Sequence, residues 1–125
     1  RPLGVVASVT PWNWPFMIAA WHIFPALKAK NTLVNKPSEF TPLSTIKLVD
    51  IINQHLPKGV CSLVLGNGSI GGALTAHPDV KKVTFTGSTQ TGQRILQGAI
   101  ADFSKAASHA FATKKADRDV AAQTR

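Results

Sequence analysis

The 125-residue chain has one cysteine, Cys61, and six acidic residues against fourteen basic ones. A single thiol excludes an internal disulfide and a multi-cysteine zinc site, and it fits a reducing compartment such as the cytoplasm. No apolar run reaches the ~18 residues needed to span a bilayer. The opening RPLGVV lacks the apolar stretch and small-residue cleavage site of a signal peptide, so no membrane partner is expected. No internal repeat is present either. The first residue is Arg1 rather than methionine, and it leads straight into a strand-like run. That start reads as a piece of a longer chain.

What is present describes one soluble core. The chain is 44% apolar, and its length suits a single domain. The formal charge of +8 raises a nucleic-acid partner, but the basic residues form no stripe. Lys81 and Lys82 are the only adjacent pair before the tail, and no aromatic–basic alternation of the kind that stacks bases occurs. The charge distribution therefore argues against direct nucleic-acid binding.

Four β-branched runs recur, GVVASV (Gly4–Val9), NTLVNK (Asn31–Lys36), GVCSLVL (Gly59–Leu65) and KKVTFTG (Lys81–Gly87). Each precedes a helical pattern. PFMIAAWHIFPALKAK is apolar nearly all round, which predicts a deeply buried helix, begun by Pro15 and kinked or divided at Pro25. TPLSTIKLVDIINQHL predicts a helix capped by Thr41, with Pro42 first and Leu43, Ile46, Leu48, Val49, Ile51 and Ile52 largely on one face. A short third helix is expected from about Ile70 to Ala76. A fourth starts at Ser88 or Thr89, with Ile95, Leu96, Ala99 and Ile100 turned inward. The alternation predicts an α/β fold, a parallel sheet with flanking helices in the order βαβαβαβα, a Rossmann-like cofactor-binding segment. A boundary is expected near Phe103, dividing residues 1–103 from a divergent basic tail, 104–125, that forms a frayed helix or stays disordered.

The chemistry-bearing motifs each allow two readings. GNGSIG (Gly66–Gly71) fits G-x-G-x-x-G between a strand and a helix. It is a pyrophosphate turn or a plain glycine turn, and no acidic residue ends a following strand. In FTGST (Phe85–Thr89), Gly87, Ser88 and Thr89 open a helix, either as an anion site at its positive end or as an ordinary N-cap. KPSE (Lys36–Glu39) brings a cation and a carboxylate to a strand end, where they hold a ribose or form a solvated pair. PWNWP (Pro11–Pro15) makes Asn13 an amide donor to a developing oxyanion or a structural turn residue. In the first reading Trp12 and Trp14 are expected to exclude water and pack the neighbouring helix.

Together, in this order and spacing, PWNWP, KPSE, HPDV and FTGST resemble the NAD(P)-dependent aldehyde dehydrogenases, over about residues 1–103. The resemblance implies Asn13 as the oxyanion-hole residue and a dinucleotide cofactor held along one rim. Val9, Thr10, Pro11 and Trp12 would line the nicotinamide side. Lys36, Ser38 and Glu39 would hold the adenosine ribose, and Gly68 would lie in the adenine region. Gly87 and Ser88 would meet the pyrophosphate above Phe85. Glu39 favours NAD over NADP, because a carboxylate facing the ribose 2′ position repels a phosphate. The implied reaction converts an aldehyde, NAD and water to a carboxylate and NADH. A cysteine thiolate attacks the aldehyde, and a glutamate activates the water.

Here the chain departs from that pattern. The glutamate segment reading like LELGGK and the later cysteine do not occur. Cys61 lies inside a strand, where a thiol is buried and inert, and His22 and His77 read as helix-packing and helix-end residues. The expectation is a fragment that keeps cofactor and oxyanion contacts but lacks nucleophile and base, and is inactive alone. The alternative is a non-catalytic nucleotide-binding or partner-binding remnant that associates with a full-length relative. Lys30 replaces a customary glycine at a position that tends to need positive φ, and Asn35 replaces an aliphatic residue. Between Gly68 and His77 the spacing is one residue short.

Overall fold

The computed structural model describes residues 1–100. The expected tail and its boundary near Phe103 lie outside the described residues. Four strands, β1 (Val5–Val9), β2 (Thr32–Lys36), β3 (Cys61–Leu63) and β4 (Val80–Phe85), form one sheet in the order β3-β2-β1-β4. Every pairing is parallel. Helices α1 (Pro15–Lys28), α2 (Leu43–Asn53) and α3 (Gly68–Thr75) connect them. A fourth helix, α4, covers 89–100 after β4. The architecture is α/β, a parallel sheet with flanking helices, as expected.

The core lies between the sheet and the α1–α2 layer. Val6, Leu33 and Cys61 project from three successive strands onto Ala19 and Ile23 of α1 and Leu48, Val49 and Ile52 of α2. Removing this apolar surface from water is the main stabilising contribution, roughly 25 cal/mol per Å². Helix α3 packs instead against β1 and β4.

Several local expectations are corrected. Helix α1 runs unbroken through Pro25 and is not divided. Nor is it deeply buried: only Ile18, Ala19 and Ile23 are, while Phe16, Trp21 and Phe24 are exposed. An all-round apolar helix needs a covering layer on every side, and the described residues supply one. Helix α2 starts at Leu43 with Pro42 in the cap position. Thr41 does not cap it, because its hydroxyl donates to the Trp12 carbonyl at 2.7 Å. Leu43 and Ile51 are exposed, and Thr45 takes a buried place in that face. In α4, Ile95 is half-buried, whereas Leu96, Ala99 and Ile100 face outward.

Two departures from the family pattern have visible structural effects. Lys30 has φ 60. Its N–H donates to the Leu27 carbonyl and that of Asn31 to the Ala26 carbonyl, the paired bonds of a Schellman ending. The cost of a left-handed non-glycine residue, about 1–2 kcal/mol, falls on this turn. The Asn31 carboxamide then fastens the turn to the strand start: Oδ1 accepts from the N–H groups of Leu3 and Gly4, and Nδ2 donates to the Ala26 carbonyl. Asn35 is fully buried; Nδ2 donates to Ser8 Oγ at 2.8 Å, and Oδ1 has no partner.

Candidate functional site

Parallel strands that end level present their following loops side by side. Val9 is in register with Lys36 on one side and Phe85 on the other, so PWNWP, PSE and TGS leave the sheet at one edge. Backbone bonds tie these exits together: Thr10 N–H donates to the Lys36 carbonyl, and Thr86 N–H to the Val9 carbonyl, each at 3.2 Å. The chain runs β1, β2, β3 to one side and then returns to place β4 on the other side of β1. Such a reversal opens a crevice beyond the carboxyl ends of the strands.

The crevice is an open cleft of about 810 Å³. Val9, Thr10, Pro11, Trp12, Asn13, Lys36, Ser38, Glu39, Gly68, Phe85, Gly87 and Ser88 all line it. The candidate oxyanion and coenzyme residues thus lie together on one rim. Sequence reasoning missed Gly72 and Thr75 of α3, Ala76 just after it, and Thr91, Arg94, Ile95 and Gly98 of α4. Those four positions of α4 follow an i, i+3, i+4, i+7 spacing, which marks one helix face. That spacing was the available signal.

The charged groups are arranged in depth. Lys36 is nearly enclosed and Glu39 half exposed, with Nζ 3.3 Å from Oε2. The Glu39 carboxyl is held below its ordinary range by its own backbone N–H, with Lys36 adding to this against some desolvation. Gly71 opposes the lysine stem, since a Cβ there would sit 3.8 Å from Lys36 Cδ. Phe85 fills the space under the start of α4, where a Cβ on Gly87 would come within 2.7 Å of its ring. Ser88 caps this helix, its Oγ accepting from Thr91 N–H at 3.3 Å. The remaining first-turn N–H groups of a helix have no intrahelical acceptor. Thr10 Oγ1 is buried on the cleft wall without a hydrogen-bond partner.

The turn at the other end of the rim is more open than expected. Asn13 is exposed, and Trp12 and Trp14 are 63% and 68% exposed, so neither indole packs the neighbouring helix. Trp14 enters α1 in the left-handed region at φ 50, and the Thr41–Trp12 bond holds the turn from the side. Asn67 caps α3, accepting from Ser69 N–H at 3.1 Å, so the glycine-rich turn closes on its own helix. Burial pushes the Cys61 thiol up, and it lies in the core, away from the cleft. Among the described residues no group of three His, Cys, Asp or Glu could hold a metal ion, and no helix is long and apolar enough to cross a membrane.

Comparison with known proteins settles the family. The aldehyde dehydrogenase family model matches residues 1–123. The chain belongs to the aldehyde dehydrogenase family. A curated relative named as an aldehyde dehydrogenase, FUS7 of Gibberella fujikuroi, is 48% identical over 99 residues. That stretch is 79% of this chain and 22% of the relative, so this chain spans about a fifth of the relative's length. Among solved structures, a betaine aldehyde dehydrogenase point mutant from Staphylococcus aureus in complex with NAD+ matches with a TM-score of 0.78 and 44% identity. The match covers 80% of this chain and 21% of that one. PnpE from Pseudomonas sp. WBC-3 matches with a TM-score of 0.79 and 48% identity, over 82% of this chain and 22% of that one.

Proposed function

We propose that this chain is the coenzyme-binding segment of an NAD(P)-dependent aldehyde dehydrogenase, with the cleft taking the dinucleotide. The observation that carries the reading is the convergence of PWNWP, KPSE and FTGST on one level rim. The donor set suits the ligand. Lys36 and Glu39 offer a donor and an acceptor to ribose hydroxyls. The start of α4 offers N–H groups and a positive dipole end to phosphates. Thr10 Oγ1 is a buried hydroxyl in need of a partner, and a cleft of this volume lies in the range of small-molecule sites.

In this reading Gly87 and Ser88 meet the pyrophosphate, with Phe85 beneath them. Gly68 borders the adenine region, Ser38 joins the ribose pair, and Val9, Thr10, Pro11 and Trp12 flank the nicotinamide. Bound coenzyme would supply the hydride acceptor. Asn13 stands at the open end of the rim, where its amide N–H would stabilise an oxygen gaining negative charge. The parent reaction is oxidation of an aldehyde to a carboxylate. Its nucleophile and base are not supplied by this chain, whose one cysteine is in the core. Glu39 favours NAD, with NADP as the second candidate, and the single buried thiol fits a cytoplasmic setting.

Calorimetric titration tests this directly. NAD should bind the chain more tightly than NADP, and Lys36→Ala and Ser88→Ala should each weaken binding by about tenfold, the scale of one or two lost hydrogen bonds. Binding unchanged in both variants sinks the reading. A second reading, a non-catalytic partner-binding remnant, draws on the exposed Trp21 and Phe24 of α1 and on β4, which among the described residues pairs on one side only. Sedimentation separates the two, because a monomer that binds NAD leaves this alternative without support.

A further inference from the structure

A line of four polar side chains crosses the interior from β2 to the cleft. Asn35 Nδ2 lies 2.8 Å from Ser8 Oγ, Ser8 Oγ 3.0 Å from His22 Nδ1, and His22 Nε2 2.9 Å from Thr86 Oγ1. The first two are fully buried, and Thr86 borders the cleft beside Gly87. The line therefore links a dry strand interior to the turn that opens α4.

The direction of its protons follows from counting donors and acceptors. Asn35 donates one N–H to Ser8 and leaves its other N–H and its carbonyl oxygen unpaired. Turning that amide over would instead leave two buried N–H bonds unpaired, which interiors tolerate less well than an unpaired carbonyl lone pair. Having accepted from Asn35, the Ser8 hydroxyl must place its own hydrogen, and His22 Nδ1 is the acceptor within reach. The ring is then neutral with its proton on Nε2, which donates to Thr86 Oγ1. Thr86 accepts, so its hydroxyl hydrogen is free for the cleft.

We propose that His22 is a positioning residue: as the neutral Nε2–H tautomer it fixes the Thr86 hydroxyl as a hydrogen-bond donor toward an anionic acceptor, of the phosphate-oxygen class, at the β4–α4 turn. This rests on the coenzyme reading for its target, but not for its direction. Reversed, the same four side chains would consume the Thr86 hydrogen internally and present the cleft with an acceptor, which repels an anion. The burial that lowers the His22 pKa agrees with a ring kept neutral.

Two measurements on the full chain test it. Long-range 1H–15N spectra of the ligand-free protein at pH 8 should show His22 protonated at Nε2 and bare at Nδ1, and an Nδ1–H ring overturns the proposal. NAD titration of Thr86→Val should show a loss of about fivefold to tenfold, one hydrogen bond. His22→Gln should lose a similar factor, and the double variant should lose no more than Thr86→Val alone. Multiplying losses mean that His22 acts independently of Thr86, which also overturns it. If His22→Gln does not fold, the spectra and Thr86→Val, an exposed site, still decide. Wild-type protein that binds no NAD counts against the coenzyme reading instead, and the tautomer alone then decides the relay.

Discussion

The two faces of the sheet are built differently. On the face covered by α1 and α2, side chains from three strands and two helices interlock with little exposure. On the face covered by α3 and α4, the only buried residue of α3 is Gly71, β4 is at most half-buried, and small residues border an open cleft. One layer is closed by packing, and the other leaves a cleft open. Packing density and backbone accessibility oppose each other, because filling the second layer with large side chains would close the approach to the α4 terminus.

The largest test of this contrast is a pair of truncations. Leu33→Ala, in the interlocked layer, should destabilise by about 2–5 kcal/mol. Ile95→Ala, half-buried on the cleft wall, should cost about 1 kcal/mol or less. Urea unfolding monitored by tryptophan fluorescence reads both, and equal losses would erase the difference between the faces.

Gly87→Ala sharpens it from the ligand side. The added Cβ would come within 2.7 Å of the Phe85 ring, so the ring must move under α4. Expected is a drop in NAD affinity of about tenfold with unfolding free energy within about 1 kcal/mol of wild type. A stability loss as large as that of Leu33→Ala would place Phe85 in the packed layer instead.

Lys30→Gly acts at the α1 ending, on the packed face. Glycine adopts φ 60 without the side-chain penalty, and after its greater unfolded-state entropy the net gain should be about 0.5–1 kcal/mol. The midpoint of urea unfolding should rise, and NAD affinity should stay unchanged.

The smallest effect is a pH dependence. Burial lowers the His22 pKa below 6.5 by desolvating the charged ring. A depressed histidine pKa means that the unfolded state binds more protons in the window just below 6.5. Stability from this group is therefore fully present above pH 6.5 and lost as pH falls toward the folded-state value. The difference in melting temperature between pH 8 and pH 5.5 should shrink in His22→Gln.

Much of the rim was legible in the sequence, because strand-ending motifs report their own position: Val9, Lys36 and Phe85 each close a β-branched run, and parallel pairing aligns run ends. Burial was less legible. The pattern of α1 predicted enclosure on all sides, yet Trp21 and Phe24 face outward. Hydrophobic periodicity says which surface prefers cover and not whether a neighbouring layer provides it. Thr41 was misread for a related reason. Its local context is that of a cap, but a carbonyl from the distant Trp12 turn takes its hydroxyl. The line from Asn35 to Thr86 was invisible, since its members are scattered over three elements and the β4–α4 turn, and the register of β1 with β2 and β4 helps bring them together.

The place of β4 beside β1, rather than beside β3, also orders assembly. The α1–α2 layer and its three strands are complete by Leu63 and can condense through short crossovers. The cleft side cannot form until the chain has looped back to dock its fourth strand against its first, a closure whose entropy must be met before any new contact forms. A nascent chain halted ahead of Val80 would carry a nearly finished hydrophobic interior and no crevice.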